Sequence, residues 1–419
     1  MIAQVEVLAT GHTEETLQAV DPTYESTGLT EGIKCSACGE ILTAQQEIPK
    51  LENPNWDGTI AEKFDSGSGT TSDPYLIATP AQLAYLAKLV NEGNTNYNSK
   101  CYKLIKDINL NNQNWTPIGS FCYWNYGKYD KTSNDYTFQG TFNGNKHTIS
   151  NLKITQPTSS EHQYFGLFGY AINAKISYVN ITNLDISLNV TTSVLVGGIV
   201  GKITEHSSSI SYCSVTGNIN IISSTYGVTS GGIVGTSDDL TVSNCVAHCN
   251  VTVKGSKASY GGGLVGSFSY ADPGNTPKIK NCIATGDVSC ETTSTTANAV
   301  AGGLVGSFGS YCNTTNSVAT GNVTGKCTWN AYVGGLFGSF GLYSATVTNC
   351  YYYSGQTITY TDRSGTFNTA NTIKGTSCTL TNLNTKTFYT STLAFSATNW
   401  NFDNLDFANG KVPTFIWNV

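Results

Sequence analysis

The sequence predicts an all-β protein, a right-handed parallel β-helix or β-solenoid that begins with a capping helix. Three observations support this prediction. A glycine-rich hexapeptide recurs at intervals of 31–40 residues, a second block of alternating polarity follows each copy, and the composition, with 24 Tyr and a single Met, favours strands over helices. Repeats with a period in this range are typical of solenoids and arrays.

The hexapeptides share two adjacent glycines, two apolar residues and a closing glycine. They read VGGIVG, SGGIVG, GGGLVG, AGGLVG and VGGLFG, they close at Gly201, Gly235, Gly266, Gly306 and Gly338, and a degenerate earlier copy, FGLFG, ends at Gly169. The third copy also matches the nucleotide-binding pattern G-x-G-x-x-G, which requires a helix to follow. Pro273 and Pro277 prevent a helix there. We therefore expect Gly262, Gly263 and Gly266 to lie over their counterparts in the neighbouring coils.

The second blocks place similar residues in columns at alternate positions, as one face of a strand does. One column holds Cys213, Cys245, Cys282, Ser317 and Cys350, and the next holds Val215, Ala247, Ala284, Ala319 and Tyr352. We expect the cysteines to be buried free thiols. A disulfide or metal ladder is the alternative, because coils stacked about 4.8 Å apart lie within the range that disulfides tolerate.

Each repeat is therefore predicted to contain an apolar strand formed by the hexapeptide, a variable loop, and a second, alternating strand. One such unit cannot bury its apolar face alone, whereas stacked copies share a continuous core. A β-propeller is the alternative architecture. Its blades need four strands, and each repeat here shows two or three, so the sequence favours the β-helix.

The strongest helix pattern spans residues 79–93 and precedes the repeats. Thr79 is expected to be the N-cap, with Pro80 as the first helical residue and Gln82 as the partner in a capping box. Gly93 is expected to end the helix. Its apolar face contains Leu83, Leu86, Ala87 and Val90. A single amphipathic helix in this position is expected to cover the open end of the solenoid.

The predicted domains are a small N-terminal segment that contains Cys and His, residues 1–54, and the solenoid, residues 55–419. Within the solenoid we expect a helix and first coils (55–165), the repeats (166–354), and a C-terminal coil with an aromatic cap (355–419). The aromatic residues expected to close the last coil are Trp400, Phe402, Phe407, Phe415 and Trp417.

The charge pattern excludes several partner classes. The formal net charge is −6 and no long basic run occurs, so neither nucleic acid nor an anionic membrane surface is an expected partner. No apolar run reaches the roughly 18 residues that a membrane span requires, so membrane insertion is not expected.

The pattern GG-[IL]-[VF]-G with N-C-x-[VA]-x-G resembles the GLUG-motif repeats of bacterial surface proteins. The stretches DPYLIATPAQLAYLAKLVNEG, DINLNNQNWTPIG and FQGTFNGNKHTISNLKI resemble the segment that commonly precedes those repeats. The resemblance covers about residues 55–419 and implies a secreted or cell-surface β-solenoid, often described as adhesin-like. Such repeats also accompany metallopeptidases that cleave immunoglobulin A, but this chain contains no H-E-x-x-H motif.

The first 50 residues resemble a short Cys/His-containing repeat of bacterial extracellular proteins. That repeat usually has a Cys where this chain has Tyr24, and often a Gly-His after its final Ile-Pro; both are missing here. His12, Cys35 and Cys38 offer three ligands, whereas a closed zinc site needs four. We therefore favour a structural remnant and expect neither a metal nor another cofactor, with zinc binding by these three residues as the alternative.

No catalytic residues are predicted. A polysaccharide hydrolase needs paired carboxylates, but Asp238-Asp239 is the only adjacent Asp pair and acidic residues are sparse between 190 and 360. The candidate ligand-binding residues are aromatic and lie in a polar stretch: Tyr123, Trp124, Tyr126 and Tyr129. Such rings can stack on sugars or anchor a protein. Alternatively, they fold back over the flank of the coil.

Taken together, these patterns predict a non-enzymatic, adhesin-like protein, secreted or at the cell surface. It would present loops from a rigid solenoid to an extracellular glycan or protein ligand. The alternative is a polysaccharide-binding or polysaccharide-processing β-helix protein. A cleft lined by three or more acidic side chains would favour that alternative.

Overall fold

The computed structural model describes most of the chain as two compact units, Met1–Asn55 and Trp56–Val419. The described residues are 11–22, 27–49, 56–119, 136–155, 163–205, 207–269, 277–309, 311–341, 345–368 and 374–417. Strands are numbered along the chain.

The N-terminal unit consists of two small antiparallel sheets. Its strands are β1 (Glu14–Leu17), β2 (Gly28–Leu29), β3 (Gly32–Cys35), β4 (Ile41–Thr43) and β5 (Glu47–Ile48). Strand β3 pairs with both β1 and β4, and β2 pairs with β5. Among the described residues of this unit, Cys35 is the only apolar side chain that is buried.

The larger unit begins with β6 (Tyr75–Ile77) and the predicted helix, α1 (Pro80–Asn91). Thr79 is the N-cap, its Oγ1 accepting from the N–H of Gln82 at 3.2 Å, and Gly93 ends the helix in the left-handed region at φ 71°. The predicted apolar face is buried in the core of the unit. The capping box is incomplete, because Oε1 of Gln82 accepts from the N–H of Ala78 rather than from that of Thr79.

The remaining strands form a parallel β-solenoid of three sheets, as the repeats predict. Six coils contribute one strand each to two narrow sheets. The first narrow sheet contains β12 (Tyr164–Phe165), β16 (Val194–Gly197), β20 (Val228–Gly231), β24 (Ser259–Gly262), β29 (Ala299–Gly302) and β33 (Ala331–Gly334). The second contains β13 (Phe168–Ile172), β17 (Val200–Thr204), β21 (Val234–Ser237), β25 (Val265–Phe268), β30 (Val305–Phe308) and β34 (Phe337–Phe340).

The third, broad sheet has 21 strands and runs the length of the solenoid. Besides β6 it contains β7 (Cys101–Leu104), β8 (Ile108–Asn109), β9 (Thr141–Asn143), β10 (Thr148–Ser150), β11 (Lys153–Ile154), β14 (Lys175–Ser177), β15 (Asn180–Val190), β18 (Ser209–Ser211), β19 (Ser214–Ser223), β22 (Thr241–Ser243), β23 (Val246–Gly255), β26 (Lys278–Lys280), β27 (Ile283–Ala284), β28 (Val288–Thr292), β31 (Asn313–Ala319), β32 (Val323–Lys326), β35 (Thr346–Tyr353), β36 (Ile358–Asp362), β37 (Gly365–Asn368) and β38 (Thr376–Cys378). Its pairs are parallel except for the β36–β37 hairpin.

The glycine pair of each hexapeptide forms the corner between the two narrow sheets. Gly262 pairs in register with Gly231 and Gly302 in the neighbouring coils, which confirms the predicted superposition. A Cβ on Gly263 would lie 2.1 Å from the carbonyl oxygen of Gly303, so no larger residue fits. The prediction of one apolar strand per hexapeptide was wrong, because the chain reverses at the glycines and each block contributes to two strands.

A second corner lies inside the broad sheet, immediately before the cysteine column. It is occupied in successive coils by Tyr178, Tyr212, Asn244, Asn281, Asn316 and Asn349, all at φ 50–55°. Asn tolerates the left-handed region, and the stacked amides form a ladder in which each Nδ2 donates to the preceding Oδ1 at 3.2–3.3 Å. The two tyrosine rings stack at 4.9 Å in the same position.

The cysteine column faces the core, as predicted. Cys213, Cys245 and Cys282 each donate their S–H to a carbonyl oxygen two residues earlier, at 3.3 Å. Ser317 makes the same bond with its hydroxyl at 2.9 Å, which explains why serine fits this column. Burial raises the pKa of the Cys245 thiol well above its usual range, so the thiol stays protonated.

The C-terminal aromatic segment does not close the last coil, and this prediction was wrong. It forms α2 (Leu380–Leu383), a π-helical turn (Phe388–Thr392), β39 (Trp400–Asn401), a 3₁₀ turn (Phe407–Asn409) and β40 (Thr414–Phe415). Its aromatic side chains pack on three apolar residues that point outward from the broad sheet, Val246, Ile283 and Val318. The Trp417 ring lies 5.6 Å from Tyr178, which belongs to an early coil. The segment therefore runs back along the outside of the solenoid, because this outward column needs cover.

Candidate functional site

Connections of variable length emerge at two of the corners of the coil. One set joins the second narrow sheet to the broad sheet and ranges from the short link between Ile172 and Lys175 to the long one between Phe268 and Lys278. The other set joins the broad sheet to the first narrow sheet. The glycine corner, by contrast, keeps one length in every full hexapeptide. Variation is therefore confined to two edges of a regular scaffold, where binding residues are commonly found.

One of these edges carries exposed aromatic rings beside cations. This aromatic row consists of Tyr226, Lys257, Trp329, Tyr332 and Arg363. Tyr226, Trp329 and Tyr332 are 42%, 37% and 41% exposed. The Lys257 ammonium lies 4.3 Å from the centre of the Tyr226 ring, and the Arg363 guanidinium lies 4.3 Å from that of Trp329.

The coil geometry places these side chains on one edge. Tyr226 follows β19, Lys257 follows β23 and Trp329 follows β32, so each sits in the same corner of its own coil. The N–H of Arg363 donates to the carbonyl oxygen of Trp329, which aligns the β36–β37 turn with this corner. With about 4.8 Å per coil, Tyr226 and Trp329 lie roughly 14 Å apart. Exposed rings at this spacing can stack on sugar faces or anchor a protein partner.

The four aromatic residues predicted from sequence, Tyr123, Trp124, Tyr126 and Tyr129, lie outside the described residues. The described chain stops at Gly119 and resumes at residue 136. Their role stays a prediction. The aromatic row was missed at the level of sequence, because its members are single residues far apart in the chain. The signal was an aromatic or basic residue between the second block and the next hexapeptide in three of the repeats, at Tyr226, Lys257 and Trp329.

Two of the described acidic residues, Asp107 and Asp287, accept hydrogen bonds from backbone N–H groups. Asp107 accepts from the N–H of Thr148 at 2.8 Å and contacts His147 Nδ1 at 3.1 Å. Asp287 accepts from the N–H of Asn322 in the next coil at 2.7 Å. These contacts connect neighbouring coils, which is a role that any solenoid needs.

His248 lies between the broad sheet and the C-terminal segment. Pockets of about 180 and 390 Å³ flank it there. Nδ1 contacts the Thr285 hydroxyl, while Nε2 is buried without a hydrogen-bond partner. Burial lowers the pKa of His248 to about 4, so the imidazole is neutral at physiological pH.

A third pocket, of about 330 Å³, adjoins α1 at the start of the larger unit. Its lining includes Trp56 and Trp115, whose ring centres are 6.1 Å apart, together with Lys88 and Glu92 on the helix.

No helix in the described part of the chain is long and apolar enough to span a membrane.

In the N-terminal unit the structure brings together the three potential ligands identified in the sequence. The ligand atoms of His12, Cys35 and Cys38 all lie within 4.8 Å of one another, and this is the only such group of three or more among the described residues. Hydrogen bonds from the Cys38 backbone N–H and from His12 lower the pKa of Cys35 to about 6. The hydrogen bond to Cys35 and the Glu40 carboxylate raise the pKa of His12.

Sequence comparison identifies a GLUG motif at residues 192–220, which spans one coil from the first narrow sheet into β19. This confirms the resemblance read from the hexapeptides. The chain is also similar to Halomucin of Haloquadratum walsbyi, with 30% identity over 233 residues. That match covers 55% of this chain and 2% of Halomucin, so the chain corresponds to a very small part of that relative.

Structural comparison supports the fold. A crystal structure from Bacteroides ovatus, provisionally named an immunoglobulin A1 protease, matches with a TM-score of 0.61 and 20% identity and covers 84% of this chain and 95% of that one. At this identity the likeness shows the β-helix fold alone. A structure named IgA1 protease matches with a TM-score of 0.32, 16% identity, and coverage of 84% of this chain and 24% of that one, which supports no argument.

Proposed function

We propose that this chain is a non-enzymatic, adhesin-like β-solenoid, secreted or displayed at the cell surface, which binds an extracellular glycan or protein. The observation on which the proposal rests is the aromatic row, with three rings between 37% and 42% exposed on one edge of a rigid scaffold. The GLUG motif and the similarity to Halomucin support a surface location. The variable connections supply further contacts, including the segment with Tyr123, Trp124, Tyr126 and Tyr129.

The scaffold suits display for a physical reason. The described coils that carry the row are held together by parallel backbone pairing and by the asparagine ladder, so the edge residues keep a fixed spacing without help from a ligand. A preorganised row loses little entropy on binding. A glycan is itself repetitive, so once one of its units is bound, the next unit is held close to the next contact of the row. Several weak contacts can therefore give a higher overall affinity.

A polysaccharide-processing enzyme is the alternative, and the name of the Bacteroides structure adds a peptidase. A polysaccharide hydrolase requires two carboxylates that flank the glycosidic bond to be cleaved. Asp107 and Asp287 instead accept from backbone N–H groups of a neighbouring coil. A zinc peptidase of the H-E-x-x-H class requires a motif that the sequence does not contain. The display function therefore accounts for more of the chain.

A glycan and matrix-protein array tests the proposal with four versions of the protein. The wild type is compared with Tyr226→Ala/Trp329→Ala, with Trp124→Ala/Tyr126→Ala, and with the matched control Ile60→Ala/Ile105→Ala, which removes two exposed apolar side chains at the start of the larger unit, outside the coils that carry the row. We expect the first double variant to lose roughly 30-fold to 1,000-fold in affinity, because two aromatic anchors contribute about 1–2 kcal/mol each. The control should bind as the wild type does.

Three outcomes would contradict parts of the proposal. If no glycan or matrix protein binds the wild type, the binding function is wrong. Unchanged binding by the Tyr226/Trp329 variant, with loss in the Trp124/Tyr126 variant, would move the site to the segment at 121–136. Release of shortened glycan or cleaved protein from a bound ligand over time would show an enzyme.

A further inference from the structure

We infer that Nδ1 of His12 and the Sγ atoms of Cys35 and Cys38 bind one thiophilic divalent cation, Zn²⁺ being the natural choice, and that this ion holds the N-terminal unit together. The inference concerns a unit separate from the aromatic row and does not depend on the proposed binding function. It also revises the sequence-based preference for a structural remnant, since sequence alone could not place His12 beside the two thiols.

The three ligand atoms fit three corners of a tetrahedral site, and water would take the fourth position. With Zn–S near 2.3 Å and Zn–N near 2.0 Å, the S–N edge of such a site is about 3.5 Å. The distance between Cys38 Sγ and His12 Nδ1 is 3.5 Å, and all three ligand atoms lie within 4.8 Å of one another. Two thiolates and an imidazole form a donor set that selects zinc over calcium or magnesium.

The backbone builds the site from residues close in sequence and one distant strand. Cys35 accepts on its carbonyl from the N–H of Gly39, at 2.8 Å, which closes a tight turn around Cys35-x-x-Cys38. Gly39 adopts φ 77°, a conformation that other residues rarely take. The N–H of Ser36 donates to the carbonyl oxygen of Thr13 at 2.8 Å, and this bond brings His12 to the turn.

A carboxylate orients the histidine from behind. Oε2 of Glu40 lies 3.4 Å from Nε2 of His12, so the nitrogen that faces away from the thiols has an acceptor. Metal-binding histidines commonly have such a partner, which sets the tautomer and the ring orientation. With the ion bound, the proton would reside on Nε2 and Nδ1 would be the ligand atom.

The N-terminal unit needs a source of stability other than a core. Cys35 is its only buried apolar side chain among the described residues, whereas Val20, Ile41 and Leu42 are exposed. Its strands are two to four residues long. Units of this size without an apolar core usually depend on a metal or disulfides. The two cysteines of the site are free thiols, which leaves the metal.

The test is metal binding by the full chain, purified with its thiols reduced. We expect one zinc per chain by elemental analysis, and a cobalt complex with thiolate charge-transfer absorption. Cys38→Ser and His12→Ala should lose the zinc. The matched control is Cys101→Ser, which changes a partly exposed thiol of the larger unit, 3.7 Å from the Thr71 hydroxyl, and should keep the full zinc content.

Because ligand variants can also unfold the unit, Glu40→Gln serves as a milder change. It keeps all three ligands and should weaken zinc binding by roughly 10- to 100-fold. Chelation of the wild type should make residues 11–49 sensitive to protease while the solenoid stays resistant. A reduced wild type that binds no zinc, equal zinc content in the wild type and Cys38→Ser, or a native Cys35–Cys38 disulfide would each overturn the inference.

Discussion

Replacing Ile283 by alanine tests whether the C-terminal segment packs along the outside of the broad sheet. Ile283 follows Cys282 and therefore points away from the core, yet it is fully buried under the C-terminal segment. The substitution removes three methyl or methylene groups worth about 0.8 kcal/mol each. The cavity left behind raises the expected loss to about 2–5 kcal/mol.

The assay is hydrogen exchange of the backbone amides in residues 376–417. A loss of about 2–5 kcal/mol in the docked state predicts exchange there that is roughly 30-fold to several thousand-fold faster. The matched control is Ile222→Ala in the same sheet, where the side chain is 38% exposed and the expected change is within about 0.5 kcal/mol. If both variants exchange alike in residues 376–417, the segment does not pack on this column and the packing argument is wrong.

Three other predictions follow from single contacts. Gly303→Ala should lower the free energy of unfolding in urea by about 1–3 kcal/mol, because its Cβ would lie 2.2 Å from the carbonyl oxygen of Gly335. The control is Gly11→Ala, whose Cβ would meet no atom within 4 Å and which should leave the stability unchanged. Thr79→Ala should cost about 1 kcal/mol through loss of the helix N-cap, seen as faster exchange in α1, and retention of full protection would contradict it. The neutral His248, with its pKa lowered to about 4, contributes stability that is complete above its unfolded pKa of about 6.5 and is lost as the pH falls toward 4, by up to about 3 kcal/mol. In His248→Asn the urea unfolding midpoint should no longer show this decrease between pH 6.5 and pH 4. If the variant shows the same decrease as the wild type, the decrease arises from other titratable groups.

The repeats and their faces could be predicted from the sequence because they are local properties. Alternation with period two assigns side chains to the core or to the outside, and a repeat of 31–40 residues requires stacked coils. The burial of Cys213, Cys245 and Cys282 follows from this parity alone. The helix start at Thr79 follows equally from its cap and from Pro80.

The hexapeptides show where local reasoning reached its limit. Two glycines flanked by apolar residues have the composition of a buried strand and equally that of a tight corner. The distinction depends on the neighbouring coils, since a side chain at Gly263 would collide with the carbonyl oxygen of Gly303. Only the stacked arrangement makes that contact.

The aromatic C-terminus shows the same limit at longer range. The many apolar side chains of this segment predict that it is buried, but they do not predict which surface it covers. The available signal was the residue that follows Cys245, Cys282 and Ser317 in the column, because Val246, Ile283 and Val318 make the outward face of the broad sheet apolar there as well. Where the strands of a sheet are apolar on both faces, the outer face must be covered by another part of the chain.

The sequence by itself therefore determined the solenoid, its period, its inward faces, its first helix and the three candidate metal ligands, His12, Cys35 and Cys38. Only the tertiary structure decided that the glycines form corners, that the aromatic segment covers the flank, that Tyr226 and Trp329 share an edge, and that His12 lies beside Cys35 and Cys38. The physical reason is the separation along the sequence between the residues that determine each feature. Strand parity and helix caps depend on residues within a few positions, whereas each of these four features joins parts of the chain through packing or strand pairing that no local pattern encodes.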